Sequence, residues 1–151
     1  EREELSGMGT TFVCAVVDAS RLYVANIGDS RLYVLDRDTI RQITLDHSLV
    51  EELIRTGQLD PLKVRNHPEK NIITRALGAN EEAIPDFFEI ELHMDEKILM
   101  CSDGLSNMVE DDEIQNIIIE AEQPEAAVIR LIDRANYYGG KDNIAALVVA
   151  Q

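Results

Sequence analysis

The chain has no tryptophan, two cysteines, four prolines and 14 basic residues against 29 acidic ones. Each scarcity removes a class of function. A formal charge of −15 repels phosphodiester backbones and anionic lipid, which argues against a nucleic-acid binder. Aromatic residues make up 5% of the chain and are scattered, so a base-stacking platform or an aromatic cofactor box has no support. Cys14 and Cys101 each lie inside an apolar, strand-like run and read as small buried hydrophobes in a reducing compartment. No apolar run reaches the length of about 18 residues needed to span a bilayer, and no basic leader precedes an apolar stretch. The segment is therefore expected to be cytoplasmic, with no membrane span and no secretion signal.

Several catalytic signatures are also absent. Gly7-Met8-Gly9 is followed by Phe12 where a dinucleotide fingerprint needs glycine, and Gly140-Lys141 by Asp142 where a phosphate loop needs Ser or Thr. Gly-x-Ser-x-Gly does not occur. Cys101 does not fit a thiolate nucleophile, because the loop after it carries Asp103, whose charge would repel both a thiolate and a phosphate.

What remains is a chain of 151 residues, 45% apolar, enough for one domain with a real core. Residues 11–17, 22–27, 31–35 and 40–44 read as a meander of strands with short polar breaks. Ser48 and Glu51 stand at capping-box spacing before an apolar-periodic stretch that Gly57 ends. Asp60-Pro61 opens a short segment toward Asn66, and the polar stretch after it reads as a surface flap. Residues 87–92 and 97–101 read as strands. Ile114, Ile117, Ile118 and Ala121 recur at helical spacing, and Pro124 starts a helix to Asn136 that Gly139-Gly140 stops. The run 144–150 is apolar enough to be a central strand. This order predicts an α+β layered sandwich.

Three aspartates sit where apolar runs give way to polar ones: Asp29 in Gly28-Asp29-Ser30-Arg31, Asp103 in Ser102-Asp103-Gly104-Leu105, and Asp142 in Lys141-Asp142-Asn143-Ile144. Carboxylates at strand ends can gather hard oxygen ligands for Mg²⁺ or Mn²⁺ at one sheet edge. Asp103 follows one strand and Asp142 precedes another, so antiparallel pairing would bring both to the same edge. Taken singly, each aspartate is equally an ordinary turn former.

In order along the chain, Gly7-Met8-Gly9-Thr10-Thr11, Gly28-Asp29-Ser30-Arg31, Asp46-His47-Ser48, Thr74-Arg75-Ala76-Leu77-Gly78, Ser102-Asp103-Gly104-Leu105 and Lys141-Asp142-Asn143-Ile144 resemble the metal-dependent protein Ser/Thr phosphatases of the PPM (PP2C-like) class. The segment 46–78 resembles the flap of the bacterial branch, whose members pair with Ser/Thr kinases. The resemblance implies a PP2C-like sandwich flanked by helices, here a single domain over 1–151 without the N-terminal strands and helices that carry a phosphate-gripping Arg, an Asp-Gly ligand pair and a His. It implies two Mg²⁺ or Mn²⁺ ions in the complete domain and hydrolysis of phosphoserine and phosphothreonine in proteins by a metal-activated water, with little activity in this segment alone. The rival reading is a non-catalytic PP2C-like module that binds a partner.

The same resemblance implies that Asp103 and Asp142 hold one of those ions and that Asp29 with Asp103 holds a third. Asn143 is expected to orient a ligand or a water, while Ser102 and Gly104 let the backbone pass close to the ions, Gly104 for its φ alone being the alternative. His47, His67 and His93 lack metal-site spacing and receive no catalytic role. Arg75 is expected to close the flap base. Unpaired strand edges beside 11–17 and an uncovered apolar face are expected to favour self-association or strand exchange.

Overall fold

The computed structural model describes residues 7–79 and 82–150; residues 1–6, read from the sequence as the end of a helix or a linker, lie outside them. Seven strands and four helices follow in order: β1 (Phe12–Asp18), β2 (Arg21–Ile27), β3 (Arg31–Leu35), β4 (Ile40–Gln42), α1 (Leu49–Arg55), β5 (Asp86–Glu91), β6 (Lys97–Cys101), α2 (Asp103–Ser106), α3 (Asp111–Glu120), α4 (Pro124–Tyr137) and β7 (Ala146–Val149). A 3₁₀ segment, Pro61–Asn66, lies between α1 and β5.

Strand β2 pairs with β1 and β5 in one antiparallel sheet, and β4-β3-β6-β7 form another. The meander breaks between β2 and β3, where the chain leaves the first sheet for the second. Alternation then builds two cores. Leu22 and Val24 meet Leu32, Val34 and Ile98 between the sheets. Tyr33, Leu35, Leu99 and Cys101, on the opposite face of the second sheet, pack against Leu105, Ile114, Ile118 and Leu131 of the helices. In α4, Ala127, Leu131 and Ala135 recur every fourth residue, the spacing that keeps one helical stripe on the core.

Three expectations need correction. Strand β4 ends at Gln42 rather than Thr44, because the Thr44 hydroxyl, not a backbone carbonyl, accepts the Leu32 N–H at 3.0 Å. Strand β7 lies at an edge of its sheet among the described residues rather than at its centre. Ala146 and Val148 turn to the helical core, and Leu147 and Val149 stay half-exposed. Cys14 is only partly buried, whereas Cys101 is buried.

Between α1 and β5 the chain forms the flap. Ser48 caps α1 by accepting the Glu51 N–H at 3.3 Å, and Asp60 caps the 3₁₀ segment through Leu62 N–H at 3.0 Å. Isolated bridges Ser48↔Ile73 and Thr10↔Leu77 close its base. The Gly7-Met8-Gly9-Thr10-Thr11 and Thr74-Arg75-Ala76-Leu77-Gly78 motifs therefore meet. Gly78 holds φ +84° with Met8 O only 2.6 Å from where a Cβ would stand, so no side chain fits at that crossing. No helix among the described residues is long and apolar enough to cross a membrane.

Candidate metal centre

Strands β6 and β7 run antiparallel with Cys101 opposite Ala146, so Asp103, just past one strand, and Asp142, just before the other, come to the same sheet edge. Ser102 fastens them. Its N–H donates to Ala145 O at 3.0 Å, its hydroxyl donates to Asn143 O at 3.1 Å, and the same hydroxyl accepts the Ala145 N–H at 3.0 Å. Gly104 presses on this loop: a Cβ there would stand 2.2 Å from Asn143 O. Its φ lies outside the left-handed region, so close approach explains this glycine, and conformational freedom does not. Asn143 acts through its main chain, its N–H donating to Asp142 Oδ1 at 2.7 Å.

Asp29 reaches the same region from the crossing between the two sheets. It follows Gly28, whose φ of +105° and whose absent Cβ, 2.4 Å from Thr11 Cγ2, admit no other residue without displacement. A cavity of about 600 Å³ is lined by Asp29 and Asp103, and one of about 220 Å³ by Asp103 and Asp142. Asp103 is thus common to both. Among the described residues no three His, Cys, Asp or Glu side chains close on a single point that could hold a metal ion; the aspartates form two overlapping pairs instead.

Charge separates the ligand candidates from the other acids. Arg31 Nε donates to both Asp46 oxygens at 3.0 Å and Nη2 to Oδ2 at 2.7 Å, so Asp46 is neutralised. Asp29, Asp103 and Asp142 have no such partner among the described residues. Burial pushes the Asp29 carboxyl up to about 6, and the charge of Asp103 adds to that. Burial likewise raises Asp103, aided by Asp142, although the Gly104 N–H and the Asn107 amide, 3.2 Å from Oδ2, oppose it. A buried Asp29 and a half-buried Asp103 that repel one another, with an exposed Asp142 beside them and no ion pair to any of the three among the described residues, are a donor set that suits a hard divalent ion.

The flap forms the facing wall of the larger cavity through Leu62, Arg65 and Lys70. Lys70 also lines the smaller cavity with Lys141. Burial, then the neighbouring charges of Arg65 and Lys141, lower the Lys70 ammonium. At the flap base Arg75 donates to Ile84 O at 3.0 Å and Asp86 Oδ1 at 2.8 Å. His47, 6% exposed, accepts the Gly28 N–H on Nδ1 at 3.0 Å and meets Asp86 Oδ2 through Nε2 at 3.1 Å. Sequence reasoning missed the Arg31–Asp46 pair, the His47 contacts and the Ser102 fastening.

Comparison with known proteins agrees with this fold. The chain is 44% identical over 146 residues to the serine/threonine phosphatase stp of Listeria welshimeri, covering 97% of this chain and 58% of that protein. It therefore spans less than two thirds of that relative's length. The crystal structure of serine/threonine phosphatase Stp1 from Staphylococcus aureus superposes with a TM-score of 0.95 at 39% identity, over 99% of this chain and 59% of that one. The catalytic domain of the phosphatase PstP in complex with two manganese ions superposes at 0.84 with 34% identity, over 96% and 60%. The family Protein phosphatase 2C matches residues 1–144, a stretch that carries all three aspartates and every strand but β7, and the chain belongs to that family.

Proposed function

We propose that the chain is the Asp103-bearing part of a protein serine/threonine phosphatase that uses Mg²⁺ or Mn²⁺ and acts in the cytoplasm on proteins phosphorylated by Ser/Thr kinases. The observation that carries this reading is Asp103 itself, shared by two cavities whose other carboxylates, Asp29 and Asp142, make no ion pair among the described residues. The relatives' names and the two manganese ions of PstP support it.

In this reading Asp103 with Asp142 holds one ion and Asp103 with Asp29 another. A divalent ion bound there supplies Lewis acidity toward phosphate oxygens and a water of lowered pKa. The chain's own residues do the rest. Arg31 ties up Asp46, leaving Asp29 and Asp103 available. Ser102 and Gly104 hold the Asp142 loop in place. Lys70 and Lys141, cations beside the carboxylates in an otherwise acidic protein, give the dianionic phosphate of a substrate something to approach. Two carboxylates per ion are fewer than such ions take, about six oxygens, so further ligands complete the site.

Mn²⁺ titration by calorimetry tests the assignment. Asp103→Asn is expected to weaken uptake more than Asp29→Asn or Asp142→Asn, and unaltered uptake in Asp103→Asn overturns it. For activity, this chain is expected to hydrolyse a phosphothreonine peptide far more slowly than one extended to the length of its relatives; equal specific activity with Mn²⁺ would refute that.

A further inference from the structure

Gly28 adjoins the candidate ligand Asp29, and His47 meets both of its backbone polar groups, the carbonyl being shared with the Asn26 amide at 3.3 Å. Its carbonyl accepts the His47 N–H at 2.9 Å, and its N–H donates to His47 Nδ1 at 3.0 Å. Because Nδ1 faces a donor it carries no proton, so the proton sits on Nε2 and is donated to Asp86 Oδ2 at 3.1 Å. Asp86 is in turn held by Arg75 at 2.8 Å, and the His47 carbonyl accepts the Thr74 N–H at 2.8 Å. The imidazole is buried and reaches neither cavity. It touches no candidate ligand.

We infer that His47 is a positioning residue for Asp29: its Nδ1 pins the Gly28 N–H and so sets the direction in which the next residue presents its carboxylate, while Asp86 and Arg75 fix the ring's tautomer and orientation. The inference rests on the reading of Asp29 as a metal ligand. The Gly28 carbonyl stays held by the His47 N–H and the Asn26 amide whatever stands at 47, so the imidazole acts on the Gly28 N–H alone: a buried N–H without its acceptor favours backbone shifts that restore one, and a ligand that must be ordered before it binds loses affinity. Partners of this kind behind a ligand carry about 10- to 100-fold in metal affinity.

The two halves of the imidazole can be separated. Asparagine at 47 brings its carbonyl to the place of Nδ1 and keeps an acceptor for Gly28; glutamine brings its amide to the place of Nε2 and keeps a donor for Asp86. Mn²⁺ alone is titrated into the chain, free ion being read by electron paramagnetic resonance, with circular dichroism and urea melts in EDTA reporting the metal-free fold. His47→Gln is expected to weaken Mn²⁺ binding about 10-fold or more, and His47→Asn to stay within about threefold of the wild type. Glutamine binding as well as or better than asparagine, or both matching the wild type, overturns the inference, since a role confined to packing or to Asp86 predicts that order. Asp29→Asn separates the two layers of argument. If it lowers affinity while the His47 variants do not, positioning alone fails; if it leaves uptake unchanged, the ligand reading fails and takes the inference with it.

Discussion

Near the candidate site, acidic side chains divide by whether a cation already holds them, and that division is a matter of single contacts. Asp46 has Arg31; Asp86, outside both cavities, has Arg75 and a hydrogen bond from His47. Burial pushes the Asp86 carboxyl up, but the hydrogen bonds from His47 and Arg75 and the charge of Arg75 outweigh it, so its pKa is lowered in the fold. A lowered carboxylate stabilises the fold above its unfolded pKa of about 3.9 and loses that contribution as pH falls through the folded value. Urea melts between about pH 5 and pH 3 are therefore expected to weaken less steeply in Asp86→Asn than in the wild type. Screening at this half-exposed site keeps the difference to about 1 kcal/mol or less, and parallel slopes would contradict it. Gly104→Ala is the sharper substitution: its methyl meets the Asn143 carbonyl, and crowding of a tightly packed site costs about 1–3 kcal/mol. Loss of stability together with weakened Mn²⁺ binding is expected, because the Asp142 loop must retreat from Asp103. The aspartates were legible in the sequence, since each stands where an apolar run ends. The pairs around them were not: Arg31 meets Asp46 across the β3–β4 hairpin, and His47 meets Asp86 between the two sheets.

At the scale of elements, those with local signals were legible and those decided by neighbours were not. Ser48 capping α1, Pro61 opening the 3₁₀ segment and Gly139-Gly140 after α4 act within a few residues of their own position. The short helix α2 and the edge position of β7 depend on the Asp142 loop and on how many strands flank β6, which no window of sequence contains. The flap shows the difference in energetic terms. Val50 is the buried side chain of α1, and neither core draws a side chain from the flap. Amide hydrogen exchange across residues 48–71 is expected to run at least about tenfold faster than in β6. Equal protection would mean that the flap and sheets open together.

For the whole molecule, among the described residues the four-stranded sheet is covered on both faces and the three-stranded sheet on one. On its outer face Val16 (57% exposed) lies opposite Tyr23 (39%), and Phe87 (75%), opposite Ala25, lies diagonal to Tyr23. Such a patch favours association, and the charge of −15 opposes it. We expect the chain to be more associated in 1 M than in 0.1 M salt, where the screening length falls from about 10 to about 3 Å, and Phe87→Lys to reduce this. Light scattering that reports a monomer at both salt concentrations across a dilution series would show the face to be inert. Layer order followed from alternation in the sequence, whereas which face stays open followed from the strand count in each sheet.

The rung at which Cys101 faces Ala146 also governs how this chain tolerates changes of length. Everything between those residues leaves and returns at one fixed point, so the link between α3 and α4 could gain a residue without moving Asp103 relative to Asp142. The residues between Asp142 and Ala146 have no such slack: one added there would turn the β7 side chains to the wrong face or carry Asp142 off Ser102. In a lineage descending from this fold, insertions should collect at the first place and be purged from the second.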